Sequence, residues 1–260
     1  MEYVVSYSGG MGSFCAVHRL LQTSSKDDHL TLLFCDTLIE DEDLYRFLDE
    51  SAAALGLPVV KIADGRTPWE VFKDKRYQGN TRTAHCSQVL KTELARTWIE
   101  NNIPDATLVL GIDWQESERL ERAQKNWAIP VIAPLCDKPW RTKEDMRGIV
   151  KSYGLKIPRL YEMGFPHNNC GGFCVRAGLK QFKKLMEEFP DRFEHHSAEQ
   201  QKLMAEVPTA RPFLRKTTNK KLRYLTLQEF KDMGAPEPDA DELQWGGCGC
   251  FIDTDEKETQ

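Results

Sequence analysis

The sequence predicts an α/β fold, a parallel twisted sheet with helices on both faces, followed by a small cysteine-rich C-terminal module. Three observations carry that expectation. Short apolar runs alternate with helix-period segments as far as Gly154. The first of these runs ends in a glycine-rich turn that leads directly into a helical stripe. Past residue 166 the alternation stops, and cysteines and glycines cluster instead. Alternating strands and helices build a parallel sheet covered on both faces, and ligands in such sheets bind beyond the C-terminal strand ends.

Each element has its own justification. Tyr3-Val4-Val5 is the first strand. Ser6-Tyr7-Ser8-Gly9-Gly10-Met11-Gly12-Ser13 is the turn after it, and Val17, Leu20 and Leu21 then fall on one helical face. That order places backbone N–H groups, the positive end of a helix dipole and serine hydroxyls around one point, which suits a phosphate or pyrophosphate. No lysine follows the glycines as in a P-loop, and adjacent Gly9 and Gly10 exclude Gly-x-Gly-x-x-Gly. Leu30 to Cys35 reads as a buried strand ending at Asp36, and residues 41–55 as an amphipathic helix stopped by Gly56. Val59 to Ile62 is the third strand. Residues 64–82 read as loop around a short helix, and 86–101 as a helix. Thr107 to Ile112 and Pro130 to Leu135 are the fourth and fifth strands, and Thr142 caps a helix that runs to Tyr153. The Gly9 loop, Asp36 and the segment from Gly111 to Glu116 all fall at C-terminal strand ends. Beyond residue 166 the pattern gives one helix from Arg176 to Glu188, a polar connection, a hairpin-like stretch around Leu222 to Leu225, and a small helix opening at Thr226.

The organisation expected is a nucleotide-binding α/β domain over 1–165, a cysteine-rich metal-binding module over 166–253, and a polar tail over 254–260. A net charge of −5 gives no general argument for nucleic-acid binding. No apolar run approaches the roughly 20 residues of a membrane span, and the chain reads straight into a strand, so neither membrane nor signal peptide is expected. A cytoplasmic setting with reduced thiols follows; the oligomeric state stays open. Arg211, Arg215, Lys216, Lys220, Lys221 and Arg223, interleaved with Phe213 and Tyr224, suggest either a nucleic-acid contact or a solvated charged hairpin, and the second reading is preferred.

Ser8-Gly9-Gly10-Met11-Gly12-Ser13 resembles the SGGxDS signature of the PP-loop superfamily, the N-type ATP pyrophosphatases and their relatives, with Gly12 where those proteins carry Asp. Other segments are similar to its phosphoadenosine phosphosulfate reductase branch. These are Phe34-Cys35-Asp36-Thr37 with Glu40-Asp41-Glu42; Cys86-Ser87-Gln88-Val89-Leu90-Lys91; Gly111-Ile112-Asp113-Trp114-Gln115-Glu116-Ser117; Pro134-Leu135 through Trp140; and Tyr161 to Phe165 into Asn169-Cys170-Gly171-Gly172-Phe173-Cys174. The resemblance spans roughly residues 3 to 180 and implies a Rossmann-like, adenine nucleotide alpha hydrolase-like fold that binds ATP or a related adenine nucleotide with Mg²⁺. It implies that Ser6, Ser8, Gly9, Gly10, Met11, Gly12 and Ser13 surround the phosphates, and that Phe34 and Asp36 meet the adenosine. Gly111 and Glu116 are further candidates for contact with the nucleotide. Lys91, Arg119 and Arg122 are the candidate cations for the phosphate or sulfate end, and Lys91, Cys86 and Asp36 the candidate catalytic residues. A solvated helix face is the alternative for Lys91.

Eight cysteines stand at 15, 35, 86, 136, 170, 174, 248 and 250. Cys170, Cys174, Cys248 and Cys250 form two glycine-rich pairs whose thiolates suit a [4Fe–4S] cluster, with Zn²⁺ the alternative. Cys86 is a further ligand, a sulfur-carrying nucleophile or a buried helix residue. Cys15, Cys35 and Cys136 are assigned to core packing. His167 reads as a loop histidine or a substitute ligand. The activity expected is attack on the nucleotide α-phosphorus with pyrophosphate release, then sulfur transfer to a nucleic acid or small molecule, with a sulfur donor protein as a further partner. The rivals are a thiol-dependent reductase of adenylyl sulfate or its phosphorylated form, and a non-catalytic nucleotide-sensing subunit.

Overall fold

The computed structural model describes residues 1–80, 83–218 and 221–238. Its main sheet has five parallel strands in the order β3-β2-β1-β4-β5: β1 (Glu2–Ser6), β2 (His29–Asp36), β3 (Val59–Ala63), β4 (Thr107–Val109) and β5 (Val131–Ile132). The chain builds outward from β1 through β2 to β3, then returns to the other side of β1 for β4 and β5. The strand order therefore reverses between β1 and β4, where a crevice opens at the C-terminal ends.

Successive residues of β1 feed opposite faces. Val5 joins one core with Phe14, Val17, Phe47 and Val150, contributed by α1 (Met11–Leu21), α2 (Glu42–Leu55) and α7 (Lys143–Ser152). Val4 joins the other with Leu33, Ala95, Ile99 and Ala123, which brings in α5 (Leu94–Asn102) and α6 (Ser117–Asn126). The capping signals act as read: Gly56 ends α2 in the left-handed conformation, and Thr142 and Asp145 form a capping box at α7. Strands four and five are shorter than expected. β4 stops at Val109, and Pro134–Cys136 turns as a 3₁₀ segment.

The helix expected over 86–101 has three parts: α4 (His85–Ser87), a π-helical stretch over Gln88–Glu93, and α5. Such bulges recur at functional sites, and this one carries Lys91. Cys15 and Cys35 are core residues, as expected, and Cys136 is half-buried.

A third core packs α3 (Pro68–Lys75), through Trp69 and Phe72, against the later segments. Those segments are α8 (Arg159–Glu162), α9 (Leu179–Glu188), α10 (Pro190–Glu206), the antiparallel hairpin of β6 (Leu214–Thr218) and β7 (Lys221–Leu225), and α11 (Leu227–Asp232). This core draws on residues from both sides of position 165. The helix read as Arg176 to Glu188 begins at Leu179. The stretch read as a polar connection is α10, the longest helix among the described residues. Its inner face is Phe193, His196, Ser197, Gln200 and Leu203. The spacing is helical, but three of the five residues are polar, so no apolar stripe shows. In the hairpin Phe213 is buried, Lys216 is nearly so and Arg223 pairs with Glu229, whereas Tyr224 is exposed. Lys220 lies outside the described residues. No helix among the described residues is long and apolar enough to cross a membrane.

His196 stacks on Phe173 at 3.9 Å, and its Nδ1 accepts from Trp69 Nε1 at 3.0 Å. Burial pushes its pKa down from 6.5 to about 3. The unfolded chain then binds one more proton than the native state between those values. Stability is full above pH 6.5 and falls with acid through that window, by about 1.4 kcal/mol per pH unit. Urea midpoints measured from pH 7 to 5 are expected to show this slope, and H196F to flatten it. An unchanged slope in the variant would contradict the assignment.

Candidate functional site

The crevice between β1 and β4 holds a cavity of about 320 Å³. Its floor is the turn after β1. Gly9 there has a φ of 70°, and a Cβ would meet Leu44 at 2.8 Å, so the turn needs a residue without a side chain. Gly10 precedes α1 without a side-chain cap, and the first turn of α1 carries no acid. Its N–H groups are therefore available to an anion. Ser6, Ser8, Gly10, Met11, Gly12 and Ser13 all line the cavity; Gly9, expected with them, does not, and packs against Leu44 with its carbonyl on Asn168. The Ser13 hydroxyl donates to Gly10 O at 3.0 Å.

The turn is pressed against the end of β4. A Cβ on Gly12 would lie 2.8 Å from Gly111 O, and one on Gly111 would lie 2.6 Å from Ser13 N. An aspartate at 12, as in the SGGxDS pattern, would force this backbone to shift.

Positive charge comes from Lys91, Arg119 and Lys143, which line the walls. Lys91 is 5% exposed, so it does not sit on a solvated face. Glu40 holds it: Oε1 accepts from Lys91 Nζ at 3.4 Å and from Thr37 Oγ1 at 2.8 Å, while Oε2 accepts from Cys170 N–H. Arg119 donates to Glu116 at 2.6 Å, and both face the cavity with Gly111. Three candidates lie elsewhere. Phe34 is buried with its ring edge-on to Tyr45, and Asp36 accepts from Tyr45 OH and Leu38 N–H. Arg122 is exposed and donates to Glu118 O. None of the three lines the cavity.

A second, smaller cavity of about 50 Å³ adjoins the first, with Lys91, His167 and Asn169 in the walls of both. Cys86, Cys170 and Cys174 line it. Three residues around them carry a buried polar atom without a hydrogen-bond partner: Ser87 Oγ, Arg176 Nε and Gln181 Oε1. Cys170, Gly171 and Gly172 are consecutive left-handed residues, a costly backbone for a cysteine. It is held by Gly171 O, which accepts from Arg192 at 2.6 Å, while Arg192 also pairs with buried Asp41 at the start of α2.

Burial pushes the Cys86 thiol up to about 12 and raises Cys170 well above the ordinary range, against the pull of Lys91. Thiolates here require a positive group among them. Among the described residues, no three His, Cys, Asp or Glu side chains converge on a point that one ion could occupy. The three thiols ring a cavity instead. A polynuclear cluster holds its cysteines further apart than a single ion does, and hydrogen-bond donors such as Ser87 and Arg176 suit its sulfurs. Among the described residues, Cys86, Cys170 and Cys174 are the ones that could hold such a group. Cys248 and Cys250 lie outside the described residues.

The motifs quoted above did not contain Lys143 or Asn168. Neither carries a spacing signal, because folding alone brings them from distant segments to the crevice. Glu40 is visible in the sequence only as part of an acidic helix start, and Cys86, read there as a further ligand, a nucleophile or a buried helix residue, lies in the same cavity wall as Cys170 and Cys174.

A parallel sheet with an uncapped helix start at its switch point is the arrangement on which nucleotide-binding α/β proteins hold phosphates. The chain matches the family described as the phosphoadenosine phosphosulfate reductase domain over residues 2–171, and it belongs to that family, within the PP-loop superfamily. The family is enzymatic and binds adenine nucleotides. No curated protein matches the chain. Among solved structures, it is similar in fold to a phosphoadenylyl-sulfate reductase from Candida auris in complex with phosphate (16% identity, 63% of this chain and 78% of that one, TM-score 0.44). It is likewise similar to a predicted tRNA methyltransferase subunit from Methanocaldococcus jannaschii (16%, 58% and 76%, 0.38). A third is a U34-tRNA thiolase from Methanococcus maripaludis with its [4Fe–4S] cluster (13%, 80% and 71%, 0.45).

Proposed function

We propose that this chain binds ATP or a related adenine nucleotide in the larger cavity, cleaves at its α-phosphorus, and uses a cluster beside it for sulfur transfer. One observation carries the reading: the anion cradle and the three-thiol cavity share Lys91, His167 and Asn169 as common walls. Residues 1–165 supply the glycine turn and the cations of the cradle, and Pro166 to Asn169 complete its wall. The module beginning at 166 supplies Cys170 and Cys174, and Cys86 reaches across from the first part.

The helix-start N–H groups and the serine hydroxyls hold the phosphates. Lys91, Arg119 and Lys143 neutralise the charge that develops as the α-phosphorus is attacked. The acceptor is an oxygen-bearing nucleic acid or small molecule; its oxygen takes the adenylyl group and pyrophosphate leaves, and a sulfur nucleophile then displaces AMP, which carries that oxygen away. A [4Fe–4S] cluster held by Cys86, Cys170 and Cys174 would supply sulfur or redox chemistry when bound. Cys248 and Cys250 are further candidates for ligand or nucleophile. Family membership also favours a second reading, thiol-dependent reduction of adenylyl sulfate or its phosphorylated form.

The test is anaerobic purification with iron, sulfide and zinc analysis, followed by two assays. Iron and sulfide near four per chain are expected. C86S, C170S and C174S are expected to lose most of the iron while C15S retains it. Stoichiometric zinc, or iron retained in all three variants, would refute the cluster assignment. Pyrophosphate release from ATP supports adenylation; sulfite release from adenylyl sulfate without ATP turnover supports the reductase. Nucleotide binding with neither product supports a sensor.

A further inference from the structure

We infer that the side-chain oxygen of Asn168 faces the divalent cation that accompanies the nucleotide phosphates. The inference rests on the nucleotide reading above. Asn168 is 1% exposed and lines the larger cavity. Its Nδ2 donates to Gly9 O at 2.8 Å. A carbonyl oxygen only accepts, so this bond fixes the orientation of the amide, and Oδ1 is the atom left over. That Oδ1 is buried and has no hydrogen-bond partner.

An orphaned buried acceptor needs a hydrogen-bond donor or a cation. Its neighbourhood is the anion cradle from Gly9 to Ser13, where phosphate oxygens would repel a bare carbonyl. A hydrated cation between the two resolves the conflict. The two carboxylates that line the cavity each hold a partner through one oxygen: Glu116 Oε1 accepts from Arg119 at 2.6 Å, and Asp113 Oδ1 from Gln115 N–H at 2.9 Å. Gly12 offers no carboxylate, and the contact with Gly111 leaves no room for one. Mg²⁺ suits such a place, because it keeps several waters and takes few protein ligands beside phosphate oxygens. Asn168 either binds the ion directly or accepts from one of its waters.

The experiment measures binding of a non-hydrolysable ATP analogue to the full chain by calorimetry, in EDTA and in Mg²⁺. Mn²⁺ affinity in the ternary complex is read by electron paramagnetic resonance. In N168A the Mg²⁺-dependent gain in affinity is expected to shrink by about tenfold, the scale of lost metal-supporting contacts, while affinity in EDTA changes less than about twofold. Equal losses in EDTA and Mg²⁺ would overturn the inference, since Asn168 would then only prop Gly9. No change in either would also overturn it. If N168A does not fold, N168D is read as a ratio, because it loses the donor to Gly9 O while adding charge at the cation: the ratio of analogue affinity in Mg²⁺ to that in EDTA is expected to rise, and a ratio at or below that of the wild type would refute the inference. A wild-type chain that binds no analogue under either condition would instead defeat the nucleotide reading itself.

Discussion

Replacing Glu40 with alanine is expected to destabilise the protein by about 3–5 kcal/mol, the usual penalty for stripping one partner from a buried ion pair. The side chains of Glu40 and Lys91 are 1% and 7% exposed, so solvent cannot take over the lost interaction. The same carboxylate accepts from Thr37 and from the N–H of Cys170. Its removal therefore releases the strained thiol loop as well as the lysine. Urea unfolding should show the loss, and iron content should fall with it. E40Q keeps an acceptor oxygen but loses the charge, and should fall between wild type and E40A. The E40A–K91M double variant should recover part of the stability, because no buried charge is then left behind. A loss below about 1 kcal/mol in E40A, within the range of an exposed pair, would show that water reaches the pair and that Glu40 does not position Lys91.

Gly111 gives the second large effect. A methyl group there would meet backbone atoms of Gly12 and Ser13 at 2.6–2.8 Å, and backbone cannot rotate away as a side-chain tip can. G111A is expected to cost about 1–3 kcal/mol through overpacking and to displace the start of α1, weakening nucleotide affinity more than stability alone would suggest. G12D, which would restore the residue of the SGGxDS pattern, is expected to lower affinity for the same reason. G148A is the control. That glycine lies inside α7, has open space around it and no positive φ, so alanine there should stabilise by roughly 1 kcal/mol or less. If G12D bound nucleotide more tightly than the wild type, the close approach of the two glycines would not be what keeps Asp from this position.

Much of the first 155 residues was legible because period and punctuation agreed there. Val4 and Val5 alternate between two cores, Gly56 stops a helix, and Thr142 opens one. Legibility failed where the physics is not periodic. The inner face of α10 reads as polar because Gln200 is buried by hydrogen bonds to Gln78 and Leu227 N–H, and Ser197 by packing alone, rather than by apolar character. The π-helical stretch around Lys91 has no sequence signature, since the extra residue per turn is imposed by what packs on either side. Phe34 and Asp36 stand at a strand end, as expected, yet the Asp36 carboxylate turns to Tyr45 and away from the crevice.

From the sequence alone came the alternation that makes a parallel sheet, the glycine turn that opens an anion cradle, and the cysteines that need a partner. Those are properties of neighbours along the chain. Only the tertiary structure decided that Glu40 ties Lys91 to Cys170, that Cys86 lies with Cys170 and Cys174, and that Asn168 reaches Gly9. Each of these joins residues separated by about fifty to a hundred and sixty positions. Their spacing carries no record of the contact, because strand order and helix packing determine it.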